Sequence, residues 1–371
     1  MRKKLLSFLK RETVLTISGI LAIISCFLVP PDTKYAGYID MHTILILFCL
    51  MAVMAGLKDI GLFQTVGETL LKKIHSQRGV AAVLIFLCFI SSMLITNDVA
   101  LITFVPLALL ILKMAKMNAS LCFIVTLMTI AANLGSMLTP IGNPQNLYLY
   151  SVSGMSLTDF LLLMLPYTLL AAVLLLLCIR FRFRAEKVSV SISQKESSLN
   201  RFRLIYYLVL FVLCLLAVAK ICPIWILFIV ILLAVLKDKW RLLLKIDYSL
   251  LATFVFFFVF IGNMGRFPAF RDFLMNILQG HVKPVAVLSS QIISNVPAAL
   301  LLSGFTDDWS SLITGTNLGG LGTLIASMAS LISYKQVAQN YPESKSRYLM
   351  VFTLWNLIFL AVLYLASVFF M

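Results

Sequence analysis

Residues 133–146 read Asn-Leu-Gly-Ser-Met-Leu-Thr-Pro-Ile-Gly-Asn-Pro-Gln-Asn, and they interrupt a chain that is apolar on either side, at 120–132 and 147–152. Two Pro, two Gly, three Asn and a Gln sit where an ordinary membrane helix would continue. In hydrocarbon each unsatisfied backbone group costs several kcal/mol, so a lipid-facing helix cannot hold this composition. A broken helix that lines a polar cavity can, and that cavity is the candidate functional site.

The stretch has a counterpart. Residues 317–330 align with it without a gap: Asn133 with Asn317, Leu134 with Leu318, Gly135 with Gly319, Thr139 with Thr323 and Ile141 with Ile325 are identical. Gly142/Ala326, Asn143/Ser327 and Asn146/Ser330 stay small or polar. Upstream of each copy a second pair recurs, 91–98 against 289–296, and before that a third, Ile39-Asp40 against Ile246-Asp247. The order is the same in both halves, which reads as an internal duplication. Paired, Gly/Pro-interrupted apolar segments in matching positions point to the binding site of a secondary transporter.

The surrounding composition fixes the class. Of 371 residues, 61% are hydrophobic and only 12% charged, about half the charge of a soluble domain. The expectation is an all-α polytopic membrane protein. The net charge of +15 does not imply a nucleic-acid partner, because the basic residues sit in short loops between apolar runs, as the positive-inside bias requires. The seven Cys fall within or beside apolar segments with no Cys-x-x-Cys, which makes them packing residues. His42, His75 and His281 lack metal-ligand spacing, so no cofactor is expected beyond a coupling ion. The basic residues 1–11 before an apolar run read as the start of a retained first helix rather than a cleaved leader.

In chain order, 1–38 holds one membrane helix. Repeat 1 covers 39–181: a span at 41–57, an interfacial amphipathic helix at 61–77, a hairpin at 79–115, the broken helix at 118–150 and a span at 158–179. Two full spans of about 17 residues would also fit 79–115, but a re-entrant hairpin with its tip at Thr96-Asn97-Asp98 explains the repeat. Residues 182–245 form a polar cytoplasmic linker and a helical pair. Repeat 2 covers 246–371: a span at 248–262, an interfacial helix at 267–279, a hairpin at 283–303, a broken helix at 310–334 and a last span from 348. The total is about nine spans and two hairpins. With a cytoplasmic N-terminus, 25 of the 30 Lys and Arg residues fall on the cytoplasmic side, which orients the chain in a plasma (inner) membrane. Repeat 1 then starts outside and repeat 2 inside, so the repeats are inverted.

A helix interrupted at mid-membrane offers N–H groups at one half and carbonyls at the other. The first attract anions, the second Na⁺ or a proton carrier. Candidate ligands are therefore Thr96, Asn97 and Asp98 at the first tip, Ser294 and Asn295 at the second, and Thr139, Gly142, Asn143, Gln145 and Asn146 at the first break. The second break adds Asn317, Gly319 and Thr323. Transient Na⁺ would sit among Asn97, Asp98, Asn143 and Asn295. Neither motif pair contains Lys or Arg. Asp98 is the only acid in them; a membrane acid reads as a proton relay or cation ligand, or alternatively as a hydrated cap of the helix it starts. Thr139, Thr323 and Ser294 read equally as ligands and as packing hydroxyls.

Ile95-Thr96-Asn97-Asp98-Val99-Ala100 with Pro106, Thr139-Pro140-Ile141-Gly142-Asn143-Pro144-Gln145-Asn146, and Ser294-Asn295-Val296-Pro297 together resemble the ion transporter superfamily. That group holds citrate and dicarboxylate carriers, arsenite/antimonite permeases and sodium/proton antiporters; the chain is most similar to its citrate-transporter-like, anion-permease branch. The resemblance spans nearly the whole chain from Ile39. It implies a homodimer in which a transport domain moves against a scaffold as an elevator, coupled to Na⁺ or H⁺, with a small inorganic or organic ion as substrate. Dicarboxylate carriers read Ser-Asn-Thr at both tips. Here Asp98 adds a carboxylate that repels an anion and Val296 removes a hydroxyl, a change that arsenite permeases and cation/proton exchangers accommodate better than citrate or succinate carriers.

Other classes fit worse. A channel would show a continuous lined pore or a charged ring; an intramembrane aspartyl protease needs two acids; a zinc protease needs His-Glu-x-x-His; and the phosphate-binding Gly-x-x-x-x-Gly-Lys-[Ser/Thr] is absent. The orientation is testable in a background without native Cys. A Cys placed within 185–200 should react with a membrane-impermeant thiol reagent only from the cytoplasm, and one at position 34 only from outside. Reversed labelling would refute the charge-derived topology.

Overall fold

The computed structural model describes residues 12–72, 74–187 and 199–369. The chain is all-α, with seventeen helices among the described residues. The central part of the linker, 188–198, and the basic N-terminal stretch lie outside the described residues.

Polar residues between the apolar runs start the helices. Helix α1 spans Thr13–Leu28 and α2 spans Met41–Asp59, the latter capped by Asp40, whose carboxylate accepts from the Thr43 N–H at 3.2 Å. The short amphipathic α3 (Leu62–Lys72) follows, then α4 (Gln77–Leu94), capped by Ser76, and α5 (Asn97–Met114). Next come α6 (Leu121–Ser136) and α7 (Pro144–Ser153), with the 133–146 motif across their break. The long α8 (Leu157–Arg182) ends at the linker, beyond which α9 (Arg201–Val218) and α10 (Ile224–Lys239) form the helical pair.

The second half repeats this order. Helix α11 (Tyr248–Gly265) is capped by Asp247 as α2 is by Asp40, and α12 (Pro268–Leu278) is amphipathic like α3. Then come the short arms α13 (Val282–Ile293) and α14 (Asn295–Ser303), the half-helices α15 (Trp309–Leu318) and α16 (Met328–Asn340), and α17 (Lys345–Ala366).

Among the described residues, eight helices are long and apolar enough to cross a membrane: α2, α4, α5, α6 with the turn before it, α8, α9, α11 and α17. The expected nine spans are distributed differently, because that expectation takes each broken helix as one whole span. Helices α1 and α10 have only 16 residues each, and both arms of the first hairpin reach 18. The second hairpin is much shorter, with arms of 12 and 9 residues. At about 1.5 Å rise per residue, neither arm covers two thirds of a ~30 Å hydrocarbon core.

Membrane packing inverts the soluble pattern. On α1, Ser18, Ala22 and Ser25 are buried while Ile17, Ile20, Ile24 and Phe27 point outward. Small residues let helices approach closely where lipid removes any hydrophobic drive between them. Helix α1 lies along α11, fixed where Asn263 Nδ2 donates to Ser25 Oγ (2.9 Å) and to the Tyr35 hydroxyl (2.7 Å). Beside this contact, Arg266 pairs with Asp32 at 2.8 Å, and the guanidinium's donation holds the Asp32 carboxyl below its ordinary value. Helix α2 packs on α9 and α10. Their ends are joined by Arg203, which bridges Asp238 at 2.5 Å and Asp59 at 3.3 Å, with Lys239 and Lys245 also on Asp59.

The hairpins and broken helices form the other body. Within each repeat the first arm lies on the first half-helix, α4 on α6 and α13 on α15. The second arm crosses to the other repeat: α5 packs on α16, and α14 on α7. Gly135 and Gly319 permit the first of these contacts. A Cβ on Gly135 would come within 2.1 Å of the Phe89 carbonyl and 2.5 Å of Ser92 Oγ, and one on Gly319 within 2.6 Å of Ser290 Oγ. Gly135→Ala and Gly319→Ala should therefore lower the apparent melting temperature of the purified protein, at an overpacking cost of about 1–3 kcal/mol. Gly265→Ala meets open space and should leave the melting temperature within error of the wild type. Equal melting temperatures for all three would show that the arms have room to part.

Candidate functional site

The same polar residues that stop the apolar helices build the site. Thr96 and Ser294 end the first arms, so α5 begins at Asn97 and α14 at Asn295. Pro144 starts α7 behind an Asn143 cap, whose Oδ1 accepts from the Asn146 N–H at 2.9 Å. Ser327 precedes α16. Four helix N-termini, those of α5, α14, α7 and α16, meet at one cavity of about 20 Å³. Its walls are Asn97 and Asp98, Asn295 and Val296, Pro144 and Gln145, Ser327 and Met328, with Leu250 of α11 closing one side.

Three matched pairs of hydrogen bonds set this geometry. The Asn97 N–H donates to the Gly142 carbonyl (3.1 Å) and the Asn295 N–H to the Ala326 carbonyl (2.9 Å), tying each tip to its own repeat's break. Thr139 Oγ1 donates to the Met93 carbonyl and Thr323 Oγ1 to the Gln291 carbonyl. Across the repeats, Asn143 Nδ2 donates to Asn317 Oδ1 (3.2 Å) and Ser327 Oγ to Asn133 Oδ1 (3.1 Å). Every residue in one member of a pair aligns with its counterpart in the other. The tips themselves differ: Ser294 has φ +74°, a left-handed backbone that strains an L-residue, whereas Thr96 is extended.

The candidate residues therefore divide by what their polar atoms do. Thr139, Thr323, Asn143, Asn146 and Asn317 hold the breaks together. Asn146 Nδ2 lies 3.3–3.5 Å from the carbonyls of Ser136, Met137 and Thr139, freed where α6 stops. Asn317 Nδ2 donates to Asn146 Oδ1 (2.6 Å) and to the Ile313 carbonyl. Gly142 and Gly319 supply close approach, and Thr96 and Ser294 terminate arms. Asn97 does both jobs: Nδ2 donates to Asn133 Oδ1 (3.1 Å), and Oδ1 accepts from the Asp98 N–H. Asp98, Gln145 and Asn295 line the cavity with side chains that make no hydrogen bond or ion pair to another described residue. Of the four residues expected around Na⁺, the structure brings Asn97, Asp98 and Asn295 to the cavity. Asn143 is engaged by Asn317 and its own helix.

Three participants are not among the candidates read from the sequence. Asn133 is the hub, since its Oδ1 accepts from both Asn97 and Ser327 while Nδ2 lies 3.4 Å from the Gly320 carbonyl. The repeat alignment carries the signal for it and for Ser327, because they pair with Asn317 and Asn143. Asp247, the cap of α11, is the third. It is exposed and stands outside the cavity wall but within Coulombic reach of Asp98, which is the one acid in walls that contain no basic side chain.

A profile of the citrate transporter family matches residues 4–306, from the N-terminal helix through the second hairpin. The chain belongs to the citrate transporter family. It is similar to an uncharacterized transporter of Methanocaldococcus jannaschii, 33% identical over 85% of this chain and 86% of that one. It is also similar to the inner membrane protein YbiR of Escherichia coli, 31% identical over 83% of each chain. A shorter match, 32% identical over 42% of this chain and 31% of the relative, joins it to the silicon efflux transporter LSI3 of Oryza sativa subsp. japonica. This citrate-transporter-family chain is thus a multi-pass membrane transporter, not an enzyme. Its second broken helix, α15–α16, lies beyond the family match.

The division of labour predicts different failures. Asn133→Ala leaves the Asn97 and Ser327 donors unpaired, each at about 1–3 kcal/mol, and should lower the apparent melting temperature and abolish transport. Asn295→Ala should abolish transport with little change in melting temperature. Thermal unfolding and proteoliposome flux read both, and the opposite pattern would overturn the assignment.

Proposed function

We propose that this chain is an ion-coupled secondary transporter of small anions that works by alternating access. The observation that supports it is the meeting of four helix N-termini at one cavity without a basic side chain. Each N-terminus carries about half a positive charge, so together they offer an anion what arginines would offer elsewhere. Unengaged amides on Gln145 and Asn295 add donors that fix its orientation.

Asp98 supplies the coupling in this reading. A substrate anion about 4 Å from an ionised Asp98 would be repelled by about 4 kcal/mol at an effective dielectric of 20. That lowers affinity by about a thousandfold. Neutralising Asp98 with H⁺ or Na⁺ removes the penalty, so anion and cation bind together. The short second hairpin supports a re-entrant geometry, and the matched element order supports inverted repeats with a cytoplasmic N-terminus in a plasma (inner) membrane. The two packed bodies, α1–α2–α9–α10–α11 and the hairpin body, suit an elevator within a homodimer.

A second reading is efflux of a small uncharged hydroxylated solute. The size of the cavity, about 20 Å³ and enough for about one water, favours it, as does the carboxylate; the Oryza sativa relative is named for silicon efflux. Purified protein in proteoliposomes distinguishes the two, assayed by counterflow and gradient-driven flux of carboxylates, inorganic anions, silicic acid and arsenite. Under the anion reading, anions accumulate against a Na⁺ or H⁺ gradient, and Asp98→Asn keeps counterflow while losing the gradient dependence. Full coupling in Asp98→Asn would refute the role of Asp98. Flux of the neutral solutes alone would establish the second reading.

A further inference from the structure

A line of polar residues leaves the site toward the N-terminal end of α6, the cytoplasmic end in the proposed orientation. On α6, Cys122, Thr126, Thr129 and Asn133 recur every three or four residues, on one face of the helix. Facing them are Ser327, just before α16, which bonds Asn133, and Ser333 on α16, in contact with Thr129; Ser330 lies between the two at a three-residue spacing, and Tyr348 of α17 closes the lower end. Helices α6, α16 and α17 pack on one another, and Thr126, Thr129, Ser330, Ser333 and Tyr348 are all fully buried.

These hydroxyls are under-satisfied. Thr129 donates to the Val125 carbonyl at 2.8 Å, so the 2.7 Å contact with Ser333 is a donation from Ser333 to Thr129. The Tyr348 hydroxyl lies close enough to Thr126, Thr129 and Ser333 for polar contact, but none of these contacts is well formed: among the described residues Thr126 Oγ1, Ser330 Oγ and Tyr348 OH have no partner in hydrogen-bonding geometry. Those are three of the six buried, unpartnered side-chain atoms among the described residues. A buried hydroxyl left unpaired in a membrane protein is costly, and water is the guest that supplies both donors and acceptors. The seam contains no charged side chain to hold a cation instead.

Its two ends give the seam a direction. At the upper end Ser327 and Asn133 are bonded to each other, and Asn133 to Asn97, at the wall of the cavity that contains Asp98. At the lower end Cys122 neighbours Ser344 and Arg347, and Arg347 donates to the Ala119 carbonyl in the exposed turn before α6. The titratable and charged groups along the path are Cys122, Arg347 and Tyr334 around Tyr348 at the lower end, and Asp247 beside Asp98.

We propose that this seam is hydrated and carries protons between the cytoplasmic end of α6 and Asp98. A proton entering at the lower end is relayed as each hydroxyl or water accepts one proton and releases another. The Asp98 carboxylate becomes the acid and the seam is left unchanged. The inference rests on the ion-coupled reading of Asp98 and commits that reading to H⁺.

Thr126→Val, Ser330→Ala and Tyr348→Phe test it, each removing one orphaned hydroxyl at near-constant shape. Two measurements are made on the purified protein: apparent melting temperature, and lumenal pH reported by trapped pyranine during substrate flux in proteoliposomes. A hydrated seam predicts lower melting temperatures and substrate-linked proton movement slowed at least tenfold, with counterflow within twofold of wild type. Raised melting temperatures in all three variants would mean a dry seam, and unchanged proton movement would mean that protons go elsewhere; either overturns the proposal. Wild-type flux without any pH change sinks the proton path but leaves the transporter reading intact. Absence of flux for every solute sinks that reading, while the melting temperatures still decide hydration.

Discussion

A backbone that breaks inside a membrane must find partners for the groups it frees, and this fold finds them in its own duplicate. The amide of Asn146 reaches the carbonyls that α6 leaves open, and the carbonyls of Gly142 and Ala326 accept the first N–H of each hairpin's second arm. Water cannot perform this service in hydrocarbon. The tips therefore lie where they do because the breaks require them, and the cavity is the space that remains among four converging helix ends. The residues that close the breaks thereby also shape the cavity.

Much of this is legible in the sequence, for identifiable reasons. Apolar runs of membrane length and the Gly/Pro/Asn interruptions are strong local signals: α4 and α5 lie along the run at 79–115, α13 and α14 along that at 283–303, and α6 stops at Ser136, inside the interruption at 133–146. The second broken helix is expected to end at 334, yet α16 extends to Asn340. Its lower half carries Lys335, Gln336, Gln339 and Asn340 around Val337 and Ala338, a mixed pattern at which hydropathy alone stops the helix too early. What each candidate does is not legible. Thr139 and Gln145 look alike as polar residues near a break, but one donates to a carbonyl of the neighbouring arm while the other is left facing the cavity. Only the packing of α4 against α6 decides that. Asn133 stands in the repeat alignment, but it precedes the break by a full turn, and its reach across to Ser327 depends on the other repeat.

The duplication is faithful in its scaffold and unfaithful in its walls. Three of the hydrogen bonds that close the breaks come in pairs, whereas two of the free residues have no like counterpart: Asp98 has Val296 in the matching position, and Gln145 has Ala329. Changing the former set would cost the fold, while changing the latter alters only the cavity's lining. The lining of the cavity can thus drift at Asp98, Gln145 and Val296 without disturbing the interlock.

The bonds across the repeats also bear on how the chain is made. Asn143 waits for Asn317, 174 residues later, and Asn133 for Ser327, 194 residues later. During synthesis the first repeat enters the bilayer with its broken helix unfinished, its amides without their final partners. It cannot settle as an independent unit, and the site exists only once nearly the whole polypeptide has left the ribosome. A chain truncated before α15 would present the membrane with an open polar wound, the kind of species that quality-control proteases recognise.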